Sequence, residues 1–286
     1  MDILNAVVQA IIQGLTEFLP VSSSGHLRLF QHLTGQSVEE GTFMLVILHM
    51  GTLAAVCIAF RDTIWALLKE FGSMLRDLFN GKLTFKDMNP ERRMIVMLFI
   101  SLVLLIPFYF MKDVFENINL LVLGFCFIYT SVILFLSDRM NKGTKTAGDM
   151  KVKDAVAIGL FQCVALFPGV SRSGSTICGG LFRGLNKETA VKYSFILGIP
   201  AILGGCLSEL KDAAEGGIEV EILPVIIGFF VAAIVGILAI KLVKLLIKSD
   251  NFKVFAIYTA IVGVLTVTMA VIEMTSGESI TQFLGI

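Results

Sequence analysis

The sequence is poor in charge and in the features that staple small secreted domains together. Only 16% of its 286 residues are charged, Lys and Arg offset Asp and Glu at 23 each, and there are three His and one Trp. No basic cluster is interleaved with exposed aromatics, which argues against a nucleic-acid role. Cys57, Cys126, Cys163, Cys178 and Cys206 all lie in apolar stretches, without CxxC or Cys/His metal spacing, and are read as buried thiols. The N-terminus has neither a Lys/Arg-rich start nor a small-residue cleavage site, so no signal peptide is expected. What fills the chain is apolar: 56% hydrophobic residues and a mean hydropathy of +0.84. These values exclude an ordinary soluble domain and predict an all-α polytopic membrane protein, one integral membrane domain over 1–286.

The apolar runs predict six full spans, at 42–60, 94–111, 118–136, 189–207, 222–246 and 254–274, with Pro107 and Pro200 inside two of them. A short turn around Lys112 and Asp113 joins the second and third. Residues 63–79 have helical periodicity, with Trp65 at the membrane boundary, and predict an interfacial helix. Residues 3–19 and 155–167 are too short or too polar to span and end in breaks at Pro20 and Pro168-Gly169. Each is followed by a second short helix, at 27–33 and 176–185, so each pair predicts a re-entrant helix-turn-helix.

The two broken elements echo one another. Laying Gln13 on Gln162 brings Phe18, Val21, Ser22, Ser24 and Gly25 onto Phe167, Val170, Ser171, Ser173 and Gly174 without a gap. Ser23 then falls on Arg172, and Glu17 on Leu166. Basic residues gather at 61–93, 138–153 and 241–253, whereas 209–221 is acidic and the C-terminal tail lacks Lys and Arg. The positive-inside rule puts the basic segments inside and both termini outside. The halves, about 1–137 and 150–274, then run in opposite senses, an inverted-topology repeat that brings the two breaks together at the midplane.

Helices starting after each break would present N–H groups and a positive dipole end there, a setting for an anion, above all phosphate. Arg172 adds a fixed cation whose fork matches phosphate oxygens. Ser23 and His26 share a face if helix starts near Ser23, so His26 could take the Ser23 hydroxyl proton. Glu17 could orient His26, act as a base or help hold a divalent cation. Ser22, Ser24, Ser171 and Ser173 serve equally well as caps on freed backbone groups, and Gln13 and Gln162 as partners for backbone. His49, in mid-span beside Met50-Gly51-Thr52, is read as structural. Together these groups suit phosphoryl transfer or phosphate hydrolysis.

The stretches Gln13–His26 and Pro168–Thr176 resemble the two signature motifs of the undecaprenyl-diphosphatase family, the bacitracin-resistance membrane phosphatases, and the resemblance runs over the whole chain. It implies hydrolysis of undecaprenyl diphosphate to the monophosphate carrier recycled in cell-wall synthesis, at the inner membrane, with a site open to the outer face. It also implies a divalent cation, Mg or Ca. Carried over by position, Ser23 would be the nucleophile, His26 its base or acid, Glu17 the essential carboxylate and Arg172 the pyrophosphate clamp. Ser171, Ser173 and Thr176 would line the phosphate pocket, with Gln13 and Ser22 beside them. Many members carry Glu where this chain has Gln13, which leaves Glu17 as the only carboxylate of the first motif and the candidate metal ligand. The expected partners are a polyprenyl diphosphate and membrane lipids, with no nucleic acid and with a homo-oligomer left open. The rival reading is a polyprenyl-phosphate flippase or secondary transporter, which needs the anion cradle and Arg172 but no nucleophile.

Overall fold

The computed structural model describes residues 3–35, 38–84, 88–111, 115, 118–140, 143–215, 221–248 and 252–280. Among these the chain is helical, without a β-strand; one isolated bridge joins Lys145 to Leu185. The helices are α1 (Ile3–Phe18), α2 (Ser23–Thr34), α3 (Val38–Ala59), α4 (Arg61–Phe79), α5 (Pro90–Val103), α6 (Ile106–Tyr109) and α7 (Leu120–Asp138). After them come α8 (Val152–Val164), α9 (Arg172–Phe182), α10 (Lys187–Glu215), α11 (Ile222–Lys248) and α12 (Lys253–Ser276).

The protein is a polytopic membrane protein. Among the described residues, four helices are long and apolar enough to cross a bilayer: Leu120–Asp138, Lys187–Leu207, Ile222–Leu246 and Lys253–Ser276. Phe43–Ala59 and Arg61–Phe79 pass that test only as a pair, bent by 84°. The bend separates the expected span at 42–60 from the expected interfacial helix, and α4 leaves Trp65, Leu68, Phe71, Leu78 and Phe79 exposed. The expected span at 94–111 is not one helix. It divides at Leu104–Leu105 into α5 and the four-residue α6, where Pro107 sits in the first turn, the place where its missing N–H is least costly. The turn at Lys112 and Asp113, and residues 216–220 of the acidic segment, lie outside the described residues.

Lipid tails are as apolar as leucine, so close packing rather than water exclusion must hold such helices together. Small residues make the approach. At the α7–α12 crossing, a Cβ on Gly124 would lie 2.8 Å from the Val267 backbone nitrogen, and one on Gly263 3.0 Å from the Gly124 carbonyl oxygen. Large residues fill the centre: Phe195 of α10 meets Phe18 and Phe60 edge-on, at 5.4 and 5.7 Å between centroids. The fully buried Tyr193 shares a 2.8 Å hydrogen bond with Ser101 of α5, and Ser101 donates to the Ala155 carbonyl, so no hydroxyl is stranded there.

Each short hairpin is built by the same local rule. Ser22 caps α2 by accepting from Gly25 N at 3.3 Å, and Ser171 caps α9 by accepting from Gly174 N at 3.0 Å. The two turns meet. Ser173 Oγ donates to the Leu19 carbonyl at 3.2 Å, and a Cβ on Gly25 would lie 2.8 Å from Gly169 Cα. The second turn is tied to α7 as well, through Thr130, which donates to the Gly169 carbonyl and accepts from Ser171 N.

Candidate active site

Where the two turns meet, the last two turns of α1 deliver Gln13 and Glu17, the first residue of α2 is Ser23, and the first residue of α9 is Arg172. Glu17 is the hub, with its side chain only 7% exposed. One carboxylate oxygen forms an ion pair with Arg172, whose side chain is itself largely buried. The other accepts from the Ser23 hydroxyl at 2.6 Å and from Gln13 Nε2 at 3.0 Å. Ser23 and Arg172 are the first residues of α2 and α9 and both reach Glu17, which brings the partial positive charge of each helix N-terminus near the carboxylate. A buried charged pair is costly unless its members are hydrogen-bonded, and here Glu17 is supplied by Arg172, Ser23 and Gln13.

The expected Ser23–His26 contact is not made. The Nδ1 of His26 lies 2.7 Å from the Ser22 carbonyl, and its Nε2 lies 2.8 Å from the Tyr258 hydroxyl. A carbonyl can only accept, so Nδ1 carries the proton and, in the neutral ring, the lone pair on Nε2 is taken by Tyr258. The ring stacks on Tyr258 at 5.6 Å with planes 5° apart, and meets Phe127 edge-on at 5.1 Å. Both nitrogens have partners other than Ser23, and Glu17 takes the place beside the hydroxyl that the sequence suggested for the imidazole.

Other expected residues divide between the cluster and its supports. Ser22 and Ser171 are caps, and Ser171 Oγ lies 3.2 Å from Ser173 Oγ. Thr176 stands one turn along α9 from Arg172. Its hydroxyl bonds back to the Arg172 carbonyl at 2.9 Å and approaches Ser194 of α10 at 2.6 Å, which pins α9 onto its neighbour. Two groups were missed in the sequence. His49 Nε2 sits 4.0 Å from Glu17, and Tyr258 of α12 holds His26. His49 carried a weak signal, being a polar residue in mid-span; Tyr258 carried none.

Ser22 has φ 72° and ψ 100°, the only non-glycine residue with positive φ among the described residues. Such backbone costs on the order of 1–3 kcal/mol and persists where its surroundings hold it. Its counterpart Ser171 is unstrained, at φ −70° and ψ 118°.

No group of three or more His, Cys, Asp or Glu side chains among the described residues could hold a metal. Among the described residues, Glu17 is the carboxylate of this cluster, and Gln13 Oε1 beside it is buried without a partner. That donor set is too sparse for an all-protein cage. It matches the small protein share Mg²⁺ accepts where substrate phosphates complete its shell.

Comparison with known proteins settles the lineage. The family described as bacitracin resistance protein BacA matches residues 6–265. The chain belongs to that family. It is 38% identical over 276 residues to the undecaprenyl-diphosphatase of Alkaliphilus metalliredigens, covering 95% of this chain and all of that one. To the undecaprenyl-diphosphatases of Methanosphaera stadtmanae and Methanobrevibacter smithii it is 39% and 40% identical, over 95% and 93% of this chain and 99% and 96% of theirs. Membership of the BacA family accords with a multi-pass membrane chain whose polar residues gather at two broken helices.

Proposed function

We propose that this chain is an undecaprenyl-diphosphate phosphatase, releasing inorganic phosphate and leaving the undecaprenyl monophosphate carrier. The observation that carries the reading is the convergence of the Ser23 hydroxyl, the Glu17 carboxylate and the Arg172 guanidinium, brought from three helices to one point. A transporter needs the cradle and the arginine, but a hydroxyl donating at 2.6 Å to a buried carboxylate is an arrangement for making a nucleophile. The near-full-length kinship to undecaprenyl-diphosphatases supports the same substrate.

In this mechanism the terminal phosphate enters between the N-termini of α2 and α9, and Arg172 shares its fork between Glu17 and two phosphate oxygens. Glu17 takes the Ser23 proton as Ser23 Oγ attacks phosphorus. The new O–P bond forms as the bridging P–O bond breaks, and the lipid monophosphate leaves with the electron pair. Glu17 passes the Ser23 proton to the departing lipid phosphate oxygen and is a carboxylate again. Water then attacks the phosphoserine, losing a proton to Glu17. As the Ser23 Oγ–P bond breaks and phosphate departs, Glu17 returns this proton to Ser23 Oγ. The divalent cation is proposed to arrive with the diphosphate, held by Glu17 and Gln13 Oε1, where its charge would offset that of the phosphate oxygens. An inner-membrane location with the site facing outward belongs to the same proposal and is supported by the Lys/Arg bias.

The test is phosphate release from a C55 or shorter polyprenyl diphosphate by detergent-purified protein, with and without chelator. Wild-type release that collapses in both Ser23→Ala and Arg172→Ala is the expected result. Loss in Arg172→Ala alone would remove Ser23 as nucleophile and leave a water activated by Glu17. Well-folded wild type that releases nothing with cation present would overturn the enzyme and favour the transporter.

A further inference from the structure

We infer that Tyr258 and His26 form a clamp on the strained Ser22 turn and so aim the Ser23 hydroxyl, with His26 a positioning residue rather than the base. The catalytic half of this inference rests on Ser23 being the nucleophile; the conformational half does not.

Three observations carry it. The first is the bonding of His26 itself, which leaves no nitrogen for Ser23: one holds the Ser22 carbonyl and the other meets Tyr258. The second is the placement of strain. Ser22 occupies a left-handed backbone position immediately before Ser23, and its carbonyl receives both the His26 ring N–H at 2.7 Å and the His26 backbone N–H at 3.2 Å. The third is an internal control supplied by the repeat. In the second hairpin Ser171 caps α9 with relaxed backbone, and the residue four further on is Ser175, not histidine. The hairpin with the strained turn has the imidazole, and the hairpin without the strain lacks it.

The clamp is rigid because its parts come from different helices. His26 belongs to α2, Tyr258 to α12 and Phe127 to α7, and the ring is stacked on one face and met edge-on by the fully buried Phe127. A side chain fixed this way transmits the position of α12 to a peptide carbonyl adjoining the nucleophile. A base needs a free lone pair facing its substrate proton; a clamp needs what is seen here.

Tyr258→Phe keeps the ring and removes the hydroxyl, so it is the variant of choice. The first readout is amide hydrogen exchange in the full-length protein. A peptide covering 19–28 should exchange faster in Tyr258→Phe, while one covering 165–176 should not change. The second readout is kinetic. The variant should lose about tenfold in kcat with KM unaltered, as expected when a nucleophile is slightly misplaced and the phosphate cradle is intact. Combining it with Ser22→Gly separates clamp from general scaffold: glycine takes positive φ without penalty, so the further loss from Tyr258→Phe should shrink to under about twofold in that background. Unchanged exchange at 19–28, kcat at or above wild type, or an undiminished loss in the Ser22→Gly background would each overturn the clamp. A Ser23→Ala protein as active as wild type would instead remove the nucleophile reading and leave the exchange result to decide the clamp.

Discussion

Glu17 and Arg172 stand 155 positions apart in the chain and form a buried ion pair at the point where the two broken helices meet. Each is the main counter-charge of the other, so removing one leaves the other unpaired. Glu17→Gln is expected to lower stability by about 3–5 kcal/mol and to abolish phosphate release. Arg172→Lys keeps the charge but loses the planar fork. It should remain nearly as stable as wild type yet fall by about 10–100-fold in kcat/KM. Thermal melting in detergent alongside steady-state kinetics checks both; equal melting temperatures for Glu17→Gln and wild type would refute the pairing argument.

The meeting of the turns depends on Gly25. A Cβ there would lie 2.6 Å from Phe127 Cζ and 2.8 Å from Gly169 Cα, the latter backbone that cannot swing aside. Gly25→Ala should push the hairpins apart, at a cost of roughly 1–3 kcal/mol, with loss of activity beyond what that destabilisation explains. Gly72→Ala is a suitable control, because a Cβ at that position meets nothing within 4 Å. Comparable losses in both variants would count against a specific role for the crossing.

Asp154 holds the base of the second hairpin. It is fully buried and accepts from Lys145 at 3.2 Å, Arg183 at 3.0 Å and the Lys151 backbone N–H at 2.9 Å. Lys145 also donates to the Arg183 carbonyl, so the start of α8 and the end of α9 are joined. Its two cationic partners are about one-third exposed, which reduces the effect through solvent screening. Asp154→Asn is expected to cost roughly 2 kcal/mol, below the figure for a fully buried pair, with KM for the diphosphate little changed. A melting curve identical to wild type would show the cluster to be idle.

Gln13 places an amide where a second carboxylate would create a stronger cation site. Its Nε2 donates to Glu17, and its Oε1 is free. Gln13→Glu sets two carboxylates against one another and should tighten the dependence on divalent cation. The expected signature is a several-fold lower Mg²⁺ concentration for half-maximal activity, with a lower rate in chelator. An unchanged Mg²⁺ titration would argue against any cation beside Glu17.

Much of this protein was legible in its sequence because the signals were local. Apolar runs of sufficient length marked the long helices, Pro and Gly marked the breaks, and Ser22 and Ser171 announced caps whose bonds span only three residues. Arg172, Glu17 and Ser23 drew attention because polar groups in an apolar chain demand partners. What the sequence could not decide was which polar group pairs with which. The spacing of Ser23 and His26 suggested a bond between them, but the imidazole bonds the Ser22 carbonyl and a tyrosine 232 positions away, and the hydroxyl goes to Glu17. Thr176 bonds to Ser194, a partner 18 positions away that its motif did not announce, while His49 was set aside and stands near the carboxylate. Helix, break and cap follow from interactions within a few residues. The pairing of Glu17 with Arg172 and of His26 with Tyr258 was decided only when distant helices packed, because a side chain's hydrogen bond depends on what the folded chain brings within 3 Å, and periodicity carries no record of that.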